Sequence, residues 1–536
     1  MPKQILYGDD ARRQVLEGVS MLARSVGSTL GPAGRLVIME KPAAAPVATK
    51  DGVTVGKEVE LPGIFGNMGV RLVREAAQKT SEQAGDGTTT ATVLAEAILR
   101  EGMRRISGGA NPVEVQRGIE KGVSAAVADL AARARPVRGK DEVARVAAVA
   151  ANHDAEIGRF LSDAFERVGK DGAITVESGT SIETTLEYVE GLQFDKGYVS
   201  PYFVTDVKRM EAVLEDPSIL FFEKKISSAR DMNILLERVA QTGRPIVLIA
   251  EEIEGEALAL LVVNKIRGVL ASVAVKAPGF GDRRRSMLED MAILTGGRLV
   301  SEDTGLKLER LGTEVLGRAK KVIVSKETTT IVGGAGEAKD VQARISQMER
   351  QVRETTSEYD REKLQERVQK LKGGVAIIRI GAATEPAMNE RKARLDDALR
   401  ATRAALEEGI VPGGGVALLR AIPAVRRSAS ELSGDERVGA EVLAKALEHP
   451  LFLIAANAGQ DGDVVVGRVL ETKGNVGYEA IGGTIVDLVE AGVIDPLKVV
   501  RVALENAASV AGTLLTADAF VADLPGKKPA ATGAVA

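Results

Sequence analysis

The stretch RPIVLIAEEIEGEALALLVVNKIRGVLASVAVKAP, residues 244–278, alternates between two kinds of apolar pattern. RPIVLIA and VLASVAVKAP are short runs rich in β-branched residues, as in buried strands, whereas EGEALALLVVNKIRG between them is long enough for a helix. A helical pattern, MLEDMAILTGG, and a short strand pattern, RLVS, follow. Strands that alternate with helices predict βαβ units and a parallel sheet in the centre of the chain.

The two flanks of this centre have a different character, with alanine-rich helices separated by glycine turns. ARRQVLEGVSMLARSVGSTL carries apolar residues at helical spacing and stops at the Gly31-Pro32 pair. The same style resumes from Asn389 and again from Val438, after residues 337–372, which predict a charged helical hairpin broken at TTSEYDR. The fold class predicted is multidomain, α plus α/β, with the α/β module inserted between two helical ends of one domain.

Composition excludes several classes of function. The 536 residues carry a net charge of −4, so no basic field favours nucleic acid or an anionic membrane. The absence of cysteine excludes disulfides, thiol nucleophiles and cysteine-ligated zinc, and His153 and His449 are isolated and read as structural. The sequence shows neither a signal peptide nor a membrane-spanning stretch, which predicts a soluble cytoplasmic protein.

Four glycine turns stand out: TLGPAG at 29–34, TKDG at 49–52, GDGTTT at 85–90 and PGGG at 412–415. GDGTTT leads directly into a helix and so resembles an anion site, but it lacks the lysine of a P-loop. If the three N-terminal turns converge, Lys50 supplies the cation, Asp86 holds Mg²⁺, and Thr88 to Thr90 donate hydroxyl and N–H groups to a phosphate. Taken singly, each is only a turn.

Two further patterns leave alternatives open. ARLDDALRATRAALEEG offers Asp396 and Asp397 as carboxylates for an attacking water, but on a helix they point about 100° apart and cannot both face one pocket. Both could equally belong to a solvated face. The helix in EGEALALLVVNKIRG has no wide polar face, so it is either buried all round or binds an apolar partner.

These motifs together resemble the group I chaperonins of the GroEL type. The resemblance runs nearly end to end, through YGDDARRQVLEGV, TLGPAGR, TKDGVTV, GDGTTTATVLA, FDKGYVSPYF, KAPGFGDRR, EYDREKLQERVQKL, DDALRATRAALEEGIVPGGGVAL and AASVAGTLLT. It implies a three-domain subunit. Residues 1–132 and 408–524 would form an equatorial ATP-binding domain, 133–189 and 376–407 an intermediate hinge, 190–375 an apical domain, and 525–536 a disordered tail.

The resemblance also assigns roles to residues. It implies ATP and Mg²⁺ as cofactors, and allows K⁺, with Asp397 and Asp51 as the catalytic carboxylates and Asp86 as the metal ligand. The implied ATP-binding residues are Thr29, Leu30, Gly31, Pro32, Lys50, Asp86, Gly87, Thr88, Thr89, Thr90, Gly414, Glu479, Ala480 and Asp495. The implied contacts to unfolded clients and to the co-chaperonin are Tyr198, Tyr202, Phe203, Leu236, Leu258, Val262 and Val263.

The function that the resemblance implies is ATP-dependent protein folding. Unfolded clients would bind to apolar apical surfaces and then be enclosed with a GroES-type co-chaperonin in seven-membered rings of identical subunits, stacked in pairs. Nucleic acid and membranes are not expected partners. A ring-forming holdase or scaffold with little ATP turnover is the alternative, and a small-molecule kinase is disfavoured because no acceptor-substrate motif is visible.

The sequence departs from the family pattern at a few positions. Glu479 stands where family members commonly have an asparagine beside the adenine, and Ile481 stands where a small residue is usual. On the apical surface, Asn233 replaces an expected leucine. Phe452 stands where members whose rings meet through salt bridges have a basic residue, and the tail lacks glycine-methionine repeats. These differences suit a divergent paralogue with specialised clients.

Overall fold

A computed structural model of the chain describes residues 3–41, 44–50, 52–151, 154–170, 172–179, 181–207, 209–301, 303, 307–355 and 357–523. The predicted disordered tail, 525–536, lies outside the described residues. Within them, the α-helices in chain order are α1 Gly8–Gly27, α2 Gly52–Glu58, α3 Ile64–Ala84, α4 Thr88–Ile106, α5 Pro112–Arg133, α6 Gly139–Ala150, α7 Ala155–Val168, α8 Ala229–Thr242, α9 Gly255–Ile266, α10 Gly281–Thr295, α11 Ala338–Glu354, α12 Glu358–Gly373, α13 Glu385–Glu408, α14 Val416–Ser430, α15 Gly434–Ala446, α16 His449–Asn457, α17 Gly462–Leu470 and α18 Leu497–Thr516.

The strands form six sheets within the described residues. In chain order they are β1 Lys3–Tyr7, β2 Val37–Lys41, β3 Ala44–Thr49, β4 Ala173–Ser178, β5 Thr185–Val189, β6 Gly191–Phe194, β7 Ala212–Glu215, β8 Ser218–Ile226, β9 Ile246–Ile253, β10 Ser272–Lys276, β11 Leu299–Val300, β12 Gly317–Val324, β13 Thr329–Gly334, β14 Val375–Ile380, β15 Ile410–Pro412, β16 Val476–Glu479, β17 Thr484–Asp487, β18 Ile494–Pro496 and β19 Ala519–Asp523.

The chain forms two compact units. One comprises Met1–Leu161 and Ala393–Ala536, and the other is the continuous segment Ser162–Lys392. The chain passes from one unit to the other within the two segments predicted as a hinge, so the central part is an insertion, as the nested composition suggested. The division into three domains, with its boundaries, stays a prediction.

The first unit is built around a helical core. Helix α18 packs against α3, α4 and α5, while α5 also contacts α14 and α15 and α1 contacts α3 and α4. Leucines such as Leu94, Leu443 and Leu504 are completely buried in this core. The two ends of the chain meet in an antiparallel pair, β1 with β19, in which Lys3 lies opposite Asp523. The helical prediction for 11–30 is confirmed by α1, which buries Val15, Val19, Leu22 and Val26.

The second unit contains an eight-stranded sheet with the order β10-β9-β8-β12-β13-β6, to which β11 adds beside β8 and β7 beside β12. The predicted strand-helix-strand unit is confirmed as β9, α9 and β10, and β8, β9, β10 and β11 pair in parallel. The predicted parallel sheet is only one part of a mixed sheet, because β6, β7, β12 and β13, for which the sequence predicted no direction, pair antiparallel. The predicted hairpin is confirmed as α11 and α12, with Val341, Ile345, Met348, Val368 and Leu371 buried.

Helices α10, α11 and α12 are tied together by a buried carboxylate. Asp290 on α10 accepts from Arg344 Nε of α11 at 2.7 Å and from Arg367 Nε of α12 at 2.8 Å. The Asp290 side chain is only 6% exposed. Asp290 therefore bridges two guanidinium groups beneath the helical hairpin, and Arg344 pairs in addition with Glu289 of α10 at 3.1 Å. No helix in the part of the chain that the structure describes is long and apolar enough to cross a membrane.

Candidate functional site

The first part of the site is the start of helix α4. Gly85 and Gly87, on either side of Asp86, have φ angles of 79° and 87°, a region in which glycine is strongly favoured. No side chain caps the N-terminus of α4, so its first N–H groups, from Thr88 onward, are open to an external acceptor. Asp86 is exposed, and its Oδ1 accepts the N–H of Gly87 at 2.5 Å. This geometry is that of an anion site with a carboxylate at its edge.

The TKDG turn lies against this helix start. A Cβ atom built on Gly52, the first residue of α2, would lie 2.2 Å from Thr89 Oγ1, so the Thr89 side chain packs directly against the backbone of Gly52. Lys50 is exposed two residues earlier and forms no ion pair with any residue that the structure describes. The sequence predicted that Lys50 would supply the positive charge that a P-loop lysine supplies elsewhere, and its place in the TKDG turn is compatible with that role. The predicted catalytic Asp51 lies outside the described residues.

The third turn, at the end of α1, stands beside the other two. The same Cβ position on Gly52 is 3.1 Å from Val26 Cγ1, in the last turn of α1. Thr29 is buried and its hydroxyl donates to Val26 O at 2.7 Å, while Asn457 Nδ2 from α16 donates to Gly27 O and Leu30 O at 2.9 Å each. These bonds fix the backbone of residues 27–30, and Gly31 and Pro32 that follow are exposed.

Asp397 reaches the same region through α13. A Cβ on Gly85 would lie 2.2 Å from Arg400 Cβ, so α13 packs directly on the GDGTTT turn. Arg400 pairs with Asp397, one helical turn earlier, at 2.9 Å, and the Asp397 side chain is 53% exposed. Asp396 is only partly exposed. The more accessible carboxylate of the two is therefore the one that the resemblance assigned to hydrolysis.

Of the residues predicted around the nucleoside, Glu479 and Asp495 lie on β16 and β18, while Gly414 and Ala480 lie just after β15 and β16. Gly414 has a φ of 63°, and a Cβ there would lie 3.8 Å from Tyr478 O, directly before Glu479 and Ala480. Asp495 lies opposite Val411 in the β15–β18 pair. Burial raises the pKa of Asp495 to about 6, and the negative charge of Asp86 adds to that effect. A Cβ on Gly87 would lie 2.9 Å from Val499 Cγ1, on α18 directly after β18, so the GDGTTT turn lies close to the segment that carries Asp495.

Glu479 has a local role that the sequence did not predict. Its two carboxylate oxygens accept the N–H groups of Ile481 and Gly482 at 2.8 and 2.6 Å, which closes the turn between β16 and β17. The sequence also did not predict that Arg400 and Asn457 take part in the candidate site. For Arg400 the three-residue spacing to Asp397 was a usable signal, whereas for Asn457 no local signal exists.

A magnesium ion fits the donor set. The described residues contain no group of three or more acidic or histidine side chains that could hold a metal by themselves. Mg²⁺ is usually held by one or two carboxylates together with phosphate oxygens and water. Asp86 supplies such a carboxylate, and the repulsion between Asp86 and Asp495 is what a bound cation would relieve.

His449 is structural. Its ring stacks on Phe452 with centroids 5.4 Å apart, and its Nε2 lies 4.0 Å from Glu96. Burial, reinforced by Arg100, lowers the pKa of His449 to about 4, so the ring is neutral near pH 7. Phe452 is partly buried against the helical core. His153 lies outside the described residues.

The second unit presents apolar side chains on three packed elements: the one-turn 3₁₀ helix Pro201–Phe203, α8 and α9. Tyr202 is 65% exposed, Ile234 45%, Val263 41% and Ile266 63%. Helix α9 buries Ala257 and Leu261 and leaves an apolar face outside, so the fully buried alternative is wrong. Tyr198, Leu258 and Val262 are partly buried.

Two of the predicted client contacts are not at the surface. Phe203 is 0% and Leu236 5% exposed, because both side chains point into the core beneath the sheet and helices of this unit. For these two the prediction of direct contact is corrected, since they support the apolar surface from below. Asn233 is exposed on α8 beside Ile234.

The family model of the TCP-1/cpn60 chaperonin family matches residues 22–525 of this chain. The chain belongs to that family. Its members are protein-folding chaperones that generally hydrolyse ATP with Mg²⁺ and assemble into rings around unfolded clients.

Proposed function

We propose that this protein is a chaperonin subunit of the GroEL type, which uses ATP hydrolysis to time the folding of client proteins inside a ring chamber. The observation that carries the proposal is the convergence of three glycine turns and α13 on the N-terminus of α4, through the contacts of Gly52 with Thr89 and of Gly85 with Arg400. This arrangement brings the segments that carry N–H donors, hydroxyls, a lysine and carboxylates together at the start of α4.

Each residue then has a defined task. The N–H groups and hydroxyls of Thr88, Thr89 and Thr90 hold phosphate oxygens, and Lys50 adds positive charge from the neighbouring turn. Asp86 holds Mg²⁺, which when bound neutralises charge on the phosphates. Asp397 orients the attacking water and accepts its proton, and Arg400 fixes the orientation of that carboxylate. Asp51 is proposed as a second carboxylate near the water.

The backbone turns complete the nucleotide pocket. Thr29, Leu30, Gly31 and Pro32 border it where α1 ends, and Gly87 allows the close approach of a phosphate. Gly414, Ala480 and Asp495 border the nucleoside. Since Glu479 is engaged by its own turn, we propose that it contributes to the base site through shape rather than through its carboxylate.

Clients bind to the apolar surface formed by Tyr202, Ile234, Val263 and Ile266, with Tyr198, Leu258 and Val262 at its partly buried margin. Burial of apolar area contributes about 25 cal/mol per Å² without regard to sequence, which suits clients that share no motif. We propose that a GroES-type co-chaperonin then covers this surface, in seven-membered rings stacked in pairs, and that ATP binding tilts the apical region to release the client.

The test is refolding of a denatured enzyme with and without ATP and a GroES-type co-chaperonin, comparing the wild-type protein with Asp397→Ala. We expect recovery of activity to require ATP and to fall to a single round with the variant. Suppression of aggregation that is equal with and without ATP, and without recovery of activity, would instead identify a holdase.

A further inference from the structure

The first unit contains a cavity that is not lined by the residues assigned to the nucleotide. It has a volume of about 160 Å³ and is lined by Arg133 at the end of α5, Pro412 in β15, Arg420 in α14 and Asn475 before β16. Since a water molecule takes about 30 Å³ in the liquid, the space holds a tetrahedral oxyanion with accompanying water. Arg133 and Asn475 are exposed in part, so the cavity is accessible from solvent.

Arg420 brings a buried charge to this cavity. The residue is 9% exposed and donates to Val469 O at 3.0 Å, Gly474 O at 3.1 Å, Val476 O at 2.8 Å and Thr472 Oγ1 at 2.6 Å. All four acceptors are neutral, and Arg420 forms no ion pair with a described residue. A guanidinium group has five N–H donors, so one N–H on Nη1 is left over.

Arg133 adds a second positive charge. Its Nε and Nη2 donate to Asp129 at 2.5 and 3.2 Å, which leaves Nη1 without a partner among the described residues. Arg133 is close enough for its charge to lower the pKa of Arg420, in addition to the larger effect of burial. Arg133 thus has one carboxylate partner and Arg420 has none among the described residues, and a buried charge without a counter-charge is unfavourable.

We propose that this cavity binds an inorganic oxyanion of phosphate size, held between Arg133 and Arg420. Guanidinium groups match the oxygens of phosphate and sulfate with paired, charge-assisted hydrogen bonds. The anion supplies the counter-charge that Arg420 lacks and engages the unused Nη1 donors of both arginines. None of the residues assigned to ATP lines this cavity, although Pro412 belongs to the PGGG turn that also carries Gly414.

Equilibrium dialysis of the full-length, nucleotide-free protein with radiolabelled inorganic phosphate, at constant ionic strength in NaCl, tests the proposal. We expect saturable binding of one phosphate per chain at this site and its displacement by sulfate. Arg133→Gln should weaken that binding about tenfold, because one charge-assisted contact is lost. Arg104→Gln, which changes an exposed arginine paired with Glu101, is the matched control and should bind phosphate as the wild type does.

Lys50→Ala separates this site from the nucleotide pocket. Phosphate binding that is retained in Lys50→Ala and weakened in Arg133→Gln supports a phosphate site in the cavity. That result does not depend on whether the protein is an ATPase. Binding that is lost with Lys50→Ala and unchanged by Arg133→Gln places the phosphate in the nucleotide pocket and overturns the proposal. No binding at all, or weak binding that is equal in every variant and therefore an adventitious ion only, overturns it as well. Arg133→Gln is preferred to changes at Arg420, whose four hydrogen bonds also support the fold.

Discussion

Asp396 and Asp397 are adjacent carboxylates with different surroundings, and this difference yields a prediction. Asp397→Asn should lower ATP hydrolysis by about 100-fold or more, since a positioned general base contributes roughly 10²–10⁴. Nucleotide affinity should stay within about threefold, because the amide keeps the size of the side chain and the phosphate contacts come from other residues. Single-turnover hydrolysis, together with titration of a fluorescent nucleotide, measures both quantities.

Asp396→Asn is the matched control, because it makes the same chemical change one position away on α13. It should retain most of the hydrolysis rate. If both variants hydrolyse ATP equally fast, the assignment of Asp397 is wrong, and if Asp396→Asn is the inactive one, the two residues exchange roles.

The buried carboxyl of Asp495 makes stability depend on pH. Its pKa in the folded protein is raised from 3.8 to about 6 by burial and by Asp86. Below about pH 3 the group is protonated in both folded and unfolded chains and costs nothing, whereas above pH 6 the folded protein holds a disfavoured charge. Asp495→Asn should therefore stabilise the nucleotide-free protein by about 3 kcal/mol at pH 7.5 and by only about 1 kcal/mol at pH 4.5.

Urea unfolding of the wild type and Asp495→Asn at the two pH values checks this. Asp86→Asn is a useful companion, because it removes only the smaller, electrostatic contribution and should give a smaller gain at pH 7.5. A stability difference between wild type and Asp495→Asn that is the same at both pH values would contradict the raised pKa.

Single residues were predicted unevenly by the sequence, for physical reasons. Helical geometry showed that only one of Asp396 and Asp397 could face a pocket, but it contained no information on which, since that depends on what α13 packs against. The contact of Arg400 with Gly85 joins residues more than 300 positions apart, so no local pattern encodes it. Glu479 was read only as a departure at the base, because its bonds to Ile481 and Gly482 depend on the turn geometry.

The contact between helices α2 and α4 allows a test of whether nucleotide binding depends on the packing of the two helix starts. Gly52→Ala places a methyl group 2.2 Å from the present position of Thr89 Oγ1 and 3.1 Å from Val26 Cγ1, so the Thr89 hydroxyl must turn away or the packing of α2 against α4 must loosen. We expect the affinity for MgATP to fall at least about tenfold, because effective binding energy depends on preorganised donors. Gly56→Ala, one turn later on α2, meets its nearest atom at 3.7 Å and should be neutral.

Fluorescent-nucleotide titration of both variants measures this effect, and circular dichroism confirms that the helices persist. Equal MgATP affinity in Gly52→Ala and Gly56→Ala would show that the two turns do not cooperate in nucleotide binding.

The ionic cluster of α10, α11 and α12 gives a prediction about stability. Asp290→Ala leaves Arg344 and Arg367 without their shared acid in a place where their side chains are only 14% and 18% exposed. Loss of one partner from such a buried pair costs about 3–5 kcal/mol. Lys363→Ala, which removes an exposed pair with Glu366, should change stability by less than about 1 kcal/mol. Urea unfolding compares them, and equal stability of the two variants would contradict a structural role for Asp290.

The secondary structure elements were predicted better than their arrangement. The pattern of residues 244–278 identified β9, α9 and β10 because buried strands and helices differ in length and in side-chain branching. It could not give the directions of β12 and β13, since an apolar strand pairs in either sense. Helix α9 shows the same limit, because a helix that is apolar all round is equally compatible with a core position and with the half-exposed position found at Val263 and Ile266.

The two units of the chain differ in whether they can be expected to fold in isolation. The unit Ser162–Lys392 is one continuous segment with its own core, including Phe221, Leu248 and Leu288, all 0% exposed. We expect residues 162–392, expressed alone, to unfold in one cooperative transition and to keep the circular dichroism of a mixed α/β protein. Residues 1–161 alone should not fold cooperatively, because α14, α15 and α18, which complete their core, come from the other end of the chain.

Thermal unfolding followed by circular dichroism distinguishes the two fragments. Cooperative folding of residues 1–161 without the C-terminal helices would show that the N-terminal half carries a sufficient core. The nested composition predicted the insertion, but only the contacts between the ends show how strongly the first unit depends on both.

The pairing of β1 with β19 means that the first unit can finish folding only late in synthesis of the chain. As the ribosome emits the chain from its N-terminus, the inserted unit is complete once residue 392 has emerged, while α1 to α5 still wait for α18. At 5–20 residues per second, that wait lasts on the order of ten seconds. During it, the apolar faces of the early helices are uncovered, so a nascent subunit is itself vulnerable to aggregation until its last strand meets its first.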